Sequence, residues 1–226
     1  MGPVGPVTGT RPIRLPSGRH GLPREVVISS QRDRLFEAVI AAVAEKGYGA
    51  TTVPDVIAGA GVSRATFYEL FGDKEDCFIA AHDELIGRLM QYVTSAFEAE
   101  DEWPDQVRAT IAALLHFLAA NPDAAHVAMV EVLAAGSRAQ ERYRLAIRGF
   151  VPFLEQGRRY SERGSELPDS VPRIVVGGIA TTLFEEVVAG HAASLPRLLP
   201  ELTYTALVPY VGHRQALEEM WKTPLP

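Results

Sequence analysis

Apolar residues recur at helical spacing in the first third of the chain. Between Ser30 and Lys46 they fall three or four positions apart, and the run Gly47-Tyr48-Gly49 then interrupts the pattern. The apolar positions are Leu35, Phe36, Val39, Ile40 and Val43. This period predicts an amphipathic helix that ends at the two glycines.

A second, shorter helix is predicted directly after this interruption. Thr52 and Asp55 have the spacing of a capping box, and Pro54 falls in the first turn, where a proline is tolerated. The apolar side of this helix consists of Val53, Val56 and Ile57. The tight, glycine-containing turn at residues 60–62 ends the helix.

A third helix is predicted after that turn, with Ser63 as its N-cap. Its polar or exposed face consists of Arg64, Ala65, Thr66 and Tyr68, and its apolar face of Val62, Phe67, Leu70 and Phe71. Gly72 is expected to end this helix, and Asp73 to cap a fourth one. A short helix with a basic residue in its first turn and aromatic residues on its buried face fits a DNA major groove. The pattern therefore predicts a helix-turn-helix.

The run RLFEAVIAAVAEKGYGATTVPDVIAGAGVSRATFYELFGDKEDCFIAA resembles the N-terminal domain of the tetracycline-repressor (TetR) family of bacterial transcription regulators. The resemblance covers about residues 32–81. It implies base contacts by Arg64, Ala65 and Thr66, phosphate or backbone contacts by Thr52, Tyr68 and Lys74, and a place for Ser63 in the DNA-binding set as the cap of the reading helix. At Glu69 the chain departs from the family, which often has a histidine there.

The remainder of the chain predicts more helices. One runs from Trp103 to Ala120, one begins at residues 121–123, and a long one follows Gly136 to about residue 163, with a kink expected at Pro152. Two more cover about 170–193 and 198–221, the latter bent at Pro209. We therefore expect an all-α fold with a flexible basic arm (1–28), a three-helix helix-turn-helix domain (29–80) and a helical ligand-binding and dimerisation domain (81–226).

The composition agrees with a folded helical protein. With 226 residues and 47% hydrophobic residues, the chain can bury a substantial core and is not intrinsically disordered. It has neither an apolar run of the roughly 18–20 residues needed to span a bilayer nor the apolar core of a signal peptide. We expect a cytoplasmic protein with no membrane partner. The single cysteine, Cys77, excludes an internal disulfide, and its apolar neighbours favour packing over redox sensing.

Charge is distributed unevenly along the chain. Residues 1–74 contain nine Lys and Arg against seven Asp and Glu, whereas the remainder contains 13 against 21. The positive end coincides with the predicted reading helix. An acidic remainder with a net charge of −6 overall opposes indiscriminate adsorption to DNA and leaves selectivity to a few contacts.

The first 28 residues differ in composition from the rest. Five prolines and five glycines fall within the first 23 residues, with arginines at positions 11, 14, 19 and 24. Such a segment does not build a core. We interpret it as an arm that settles on phosphates or in a minor groove, with a solubilising tail as the alternative.

A small-molecule cavity is predicted between the helices of the second domain. The candidate lining residues are His116, Phe117, His126, Met129, Tyr143, Phe150 and Phe184, which combine apolar bulk with a few polar groups. An ordinary helical core has the same composition, and remains the alternative for any one of them. We find no metal-ligand cluster, phosphate loop or nucleophile motif, and expect no catalytic residue, no metal and no cofactor.

The last two helices are broadly apolar, which predicts a partner. The first carries apolar residues from Ile174 to Val188 around the pair Gly177-Gly178, and the second from Leu198 to Val211. The alternative is burial within one chain. The resemblance implies that these helices pair with their copies in a homodimer, and a two-fold dimer would read a near-palindromic operator in double-stranded DNA.

These observations predict a transcriptional regulator, a repressor released by an apolar small-molecule effector that remains to be identified. The first alternative is a helix-turn-helix regulator without small-molecule response, controlled by its abundance or by a protein partner. The second is a helical enzyme, which would need a convergent catalytic set that the sequence does not contain.

Overall fold

The computed structural model describes residues 23–160 and 162–222, and these form helices and no strand. The α-helices are α1 (Arg24–Ala50), α2 (Val53–Ala60), α3 (Arg64–Leu70), α4 (Lys74–Glu98), α5 (Trp103–Ala120), α6 (Pro122–His126), α7 (Val132–Ala134), α8 (Ser137–Arg148), α9 (Val151–Glu155), α10 (Glu162–Ser165), α11 (Val171–Val188), α12 (Leu199–Val211) and α13 (His213–Met220). A π-helical turn (Val127–Glu131) joins α6 to α7, and 3₁₀ turns cover Gln156–Arg159 and Ala192–Leu198. The predicted all-α fold class is confirmed.

The first four helices follow the predicted caps closely. The Ser63 hydroxyl accepts a hydrogen bond from the Thr66 amide at 3.0 Å, and Asp73 accepts one from the Asp76 amide at 2.8 Å. Gly61 ends α2 in the left-handed conformation, with φ 61°. These local bonds satisfy backbone groups that a helix end leaves free, which is why short helices form here.

Helix α1 contains one break, at Gly47. Its φ of 79° and ψ of 157° are not helical, so the regular helix ends where the glycines predicted. The carboxylate of Glu131, from the π-helical turn, accepts a hydrogen bond from the next amide, Tyr48 N, at 2.7 Å. The break therefore frees an amide that the second domain binds.

Two apolar cores lie one on each side of the helix that runs from α6 to α7. The first packs α1 to α4 around Leu35, Val39, Phe67 and Phe78, each at most 1% exposed. The second packs α4, α5, α11 and α12 around residues such as Leu115, Leu207 and Tyr210. In this second core Trp103 donates its indole N–H to the Phe153 carbonyl at 3.0 Å.

Three predicted helix bounds in the second domain are wrong. The long helix expected to reach residue 163 ends at Arg148, because Gly149 and the nearby Pro152 interrupt it. The last predicted helix is broken at Gly212, with φ 83°, and Pro209 lies inside α12. Helix α11 ends at Val188, and residues up to 193 do not continue it.

The predicted domain bounds fall within helices of the structure. Residues 1–22 of the predicted arm lie outside the described residues, whereas Arg24 to residue 28 belong to α1. Helix α4 runs without interruption across the boundary expected at residue 80. Among the described helices, none is both long and apolar enough to cross a bilayer.

We expect Gly47→Ala to destabilise the protein by about 1–3 kcal/mol, since an alanine is strained at positive φ. Gly49→Ala is the matched control, because an added Cβ there meets no atom within 4 Å and its φ is not positive. Urea unfolding of both variants measures the difference. Equal free energies of unfolding for the two variants would contradict the strain at Gly47.

Candidate nucleic-acid interface and apolar cavity

The first turn of α3 presents the residues predicted to read DNA. Arg64, Ala65 and Tyr68 are exposed, Thr66 is half-buried, and Phe67 on the opposite face is fully buried. Ser63 and Thr66 are linked through their hydroxyls at 2.9 Å. The buried ring of Phe67 thus anchors α3 to the core, and the opposite, polar face of the helix stays accessible to a ligand.

Arg64 stacks on the ring of Tyr68. Its guanidinium carbon lies 5.5 Å from the ring centroid, and Arg64 forms no ion pair with any described residue. A cation over an aromatic face loses rotamer freedom without losing its donors. This arrangement holds the Arg64 guanidinium at the start of α3 without an ion pair to any described residue.

Thr52 lies at the start of α2 with its hydrogen-bond donors engaged. Its amide and its hydroxyl donate to the Asp55 carboxylate at 2.8 and 2.6 Å. The Lys46 ammonium 2.7 Å away, together with these two bonds, lowers the pKa of Asp55 to about 2. A phosphate contact from Thr52 would therefore replace a bond to a carboxylate that stays ionised at neutral pH.

Lys74 joins the start of α4 to the connection between α1 and α2. Its ammonium donates to the carbonyls of Tyr48 at 2.7 Å and Thr51 at 2.8 Å, and it lies 4.0 Å from the centroid of the Tyr48 ring. Burial lowers the pKa of Lys74. Its internal bonds hold the helix-turn-helix together, and its expected contact with the DNA backbone stays a prediction.

An apolar cavity of about 120 Å³ lies in the second domain, bounded by α4, α5, the α6 to π-helical segment, α8, α9 and α11. No charged side chain lines it among the described residues, and its polar lining is limited to Thr110, Asn121 and Tyr143. Thr110 and Asn121 donate to carbonyls of their own helix, and burial raises the pKa of Tyr143. Such a wall binds apolar groups and offers few polar contacts.

Four of the seven predicted pocket residues line this cavity, namely Phe117, Met129, Tyr143 and Phe150. The other three do not. His116 is exposed on another face of α5, and His126 is 40% exposed and lies 3.5 Å from the Glu131 carboxylate. Phe184 does not line the cavity, whereas its neighbour Leu183 does, because consecutive helical residues point about 100° apart.

Several lining residues were missed by sequence reasoning. Leu85, Ile86 and Leu89 come from α4, and Val176 and Ile179 from α11. Ile179 was predicted only as part of the apolar run that begins at Ile174, and the three residues of α4 were not predicted to line a cavity. The spacing along a single helix carries no information about which buried faces meet across a gap.

No group of three or more metal-binding side chains occurs among the residues with described positions. Cys77 is fully buried, and burial raises the pKa of its thiol to about 12. The thiol is therefore protonated at neutral pH, which suits packing in the core rather than redox chemistry.

Comparison with known proteins identifies the first domain. Residues 35–81 match the family described as "Bacterial regulatory proteins, tetR family". The fatty acid metabolism regulator protein of Bacillus subtilis is 21% identical over 122 residues, which cover 54% of this chain and 63% of that regulator. The match thus spans less than two thirds of that relative. The resemblance read from the sequence is confirmed.

Solved structures share the fold over most of the chain. The fatty acid degradation regulator FadR from Bacillus halodurans has a TM-score of 0.70 at 20% identity, covering 81% of this chain and 96% of that one. FadR from Bacillus subtilis in complex with stearoyl-CoA has a TM-score of 0.66 at 19% identity, covering 80% and 98%. A tetR-family protein from Rhodococcus RHA1 has a TM-score of 0.64 at 20% identity, covering 80% and 96%.

Loss of the cap on α3 should lower stability. We expect Ser63→Ala to cost about 1 kcal/mol of unfolding free energy, because the Thr66 amide loses its acceptor. Ser95→Ala, at an exposed position inside α4, is the control and should cost nothing, since alanine is the better helix former. Chemical denaturation measures both, and equal stability of the two variants would contradict the role of the cap.

Proposed function

We propose that this chain, a tetR-family regulatory protein, binds an operator in double-stranded DNA as a homodimer and is released from it by an apolar ligand. The observation that carries the proposal is Arg64, an exposed guanidinium in the first turn of a capped helix that has the dimensions a major groove admits. The residue roles below are part of this proposal.

Arg64 supplies the base-specific contact, with guanine O6 and N7 as the best match for its two parallel donors. Ala65 and Thr66 lie beside it for apolar or hydroxyl contacts with base edges. Tyr68 and Thr52 set the register through phosphates, and Lys74 keeps α4 against this unit. Ser63 shapes the turn through its cap.

The homodimer forms through α11 and α12. On α11, Ile174 is 65% exposed and Val188 54% exposed, and an added Cβ at Gly177 or Gly178 would meet no atom of the same chain within 4 Å. An exposed apolar face with open glycines suits close packing of a second helix pair. Two reading helices would then reach half-sites about 34–36 Å apart or a multiple of that distance on a near-palindrome.

The effector is an apolar molecule, and we infer a fatty acyl chain. The support is a lining with no charged residue, together with the similarity to a Bacillus subtilis regulator whose solved complex contains stearoyl-CoA. A cavity of about 120 Å³ is near the 150 Å³ that admits benzene, so a long chain requires the surrounding helices to open further. The ligand thereby favours a different arrangement of those helices.

For the ligand to release the protein from DNA, it must bind one arrangement of the helices more tightly than the other. A shift from 99:1 to 1:99 takes about 5.5 kcal/mol of differential binding. Burial of roughly seven methylene groups, at about 0.8 kcal/mol each, provides that amount. An acyl chain is therefore long enough to act as the effector.

A regulator without small-molecule response is the alternative, and the small volume of the cavity favours it. The two are separated by thermal unfolding in the presence of stearoyl-CoA or palmitate, since only a responsive protein gains stability from them. The expected cytoplasmic location of the protein stays a prediction.

The function is tested by fluorescence anisotropy with the DNA upstream of the protein's own gene and with scrambled DNA of equal length, at two salt concentrations. Tight, selective binding that saturates at two chains per duplex supports the proposal. Equal and steeply salt-dependent binding to both fragments indicates phosphate attraction alone. In that case, selection from random DNA tests whether the protein prefers another sequence. Failure to enrich any sequence contradicts the proposal.

Arg64→Ala should weaken operator binding by about 1–3 kcal/mol and leave scrambled DNA nearly unaffected, because it removes a base contact. Arg144→Ala on α8, exposed and paired with Glu141, is the control with the same loss of charge. Anisotropy measures affinity, and circular dichroism checks that helix content is retained. Unchanged operator affinity in Arg64→Ala would contradict the assignment of Arg64 as the residue that contacts a base.

Ala146→Leu should weaken the response to stearoyl-CoA by about tenfold, because the added side chain fills part of the cavity. Ala120→Leu, at the exposed end of α5, is the control. The readout is the concentration of stearoyl-CoA that releases labelled operator. An identical response in both variants would place the effector elsewhere.

A further inference from the structure

A second depression lies on the helical domain, against a different face of α5 from the one that lines the apolar cavity. It has a volume of about 530 Å³ and is formed by α5, the segment before α12 and the end of α13. The charged side chains that line it among the described residues are all basic: Arg108, Arg197 and Lys222. We call it the Arg108 groove.

Arg108 is 3% exposed and has almost no compensation for its charge. Its Nη2 donates to the Lys222 carbonyl at 2.7 Å, while Nε has no hydrogen-bond partner. No carboxylate among residues 23–160 and 162–222 lies within 4.0 Å of its guanidinium. A buried cation with an unpartnered donor is destabilising unless an anion supplies the missing charge.

The other two cations of the groove already have counter-charges. Arg197 pairs with Glu186, and Lys222 lies 2.7 Å from both Asp105 and Glu219. These carboxylates do not line the groove. The groove therefore has one uncompensated positive charge, which matches a monoanion better than a dianion.

Apart from His116, the rest of the lining is apolar and has an aromatic rim. Trp221 is 73% exposed, and Leu115, Leu199 and Pro200 form part of the wall. An exposed indole face beside a cation offers stacking to a flat apolar group. The volume falls in the range of 300–1,000 Å³ typical of small-molecule sites.

We propose that the Arg108 groove is a second ligand site, which takes an aromatic monocarboxylate with its carboxylate on the Arg108 guanidinium and its ring against Trp221. The site requires neither DNA nor the apolar cavity. It thus goes beyond the proposed function, and the two can fail independently.

The probe is 2-naphthoate, with the neutral 2-naphthamide as its matched control, titrated into the full chain by isothermal titration calorimetry. We expect one site per chain and an affinity for the acid about tenfold higher than for the amide, because a charge-assisted bidentate pair forms only with the acid. No heat with the acid, or equal affinity for both compounds, overturns the proposal.

Arg108→Met keeps the length of the buried stem and removes the charge. It should abolish the preference for the acid, while Ala146→Leu, which fills the other cavity, should leave it unchanged. Full preference in Arg108→Met, or loss of binding in Ala146→Leu, overturns the site. If Arg108→Met unfolds, Trp221→Leu decides, because this exposed side chain is not needed for folding. It should weaken both compounds severalfold, and unchanged affinities overturn the proposal.

Discussion

The helix from Pro122 to Ala134 is shared by two cores, and this constraint determines how the two parts of the molecule meet. Ala125 and Ala128 belong to the core of the helical domain, whereas Val127 and Val132 belong to the core built around α1 to α4. The π-helical turn in its middle changes the direction of the side chains that follow. A movement of this helix therefore alters the packing of both cores.

The polar contacts around the Gly47 break connect that shared helix to α2 and α3. Glu131 binds the Tyr48 amide, and Lys74 binds the carbonyls of Tyr48 and Thr51 directly before α2. Each bond engages a backbone group in or directly after the last turn of α1, where the regular helix has ended. The position of α2 and α3 thus depends on backbone atoms held from the second domain and from α4.

The parts of the fold that local chemistry determines were predictable from the sequence. Ser63 and Asp73 cap their helices through residues three positions away, and the family resemblance of residues 35–81 rests on the same short-range pattern. The internal bonds of Lys74, most of the cavity lining and the unpaired Arg108 were not predictable. They depend on which distant helices meet, and the partner atoms lie 26 residues away for Tyr48 and 114 for Lys222.

The uncharged wall of the apolar cavity limits how finely it distinguishes one guest from another. Without a charged group in its lining, the cavity separates apolar guests mainly by their shape and apolar area. Each additional buried methylene adds about 0.8 kcal/mol, roughly a fourfold change in Kd. Under the proposed function, a cavity of this kind would rank its guests by length and would respond to a class of compounds rather than to a single one.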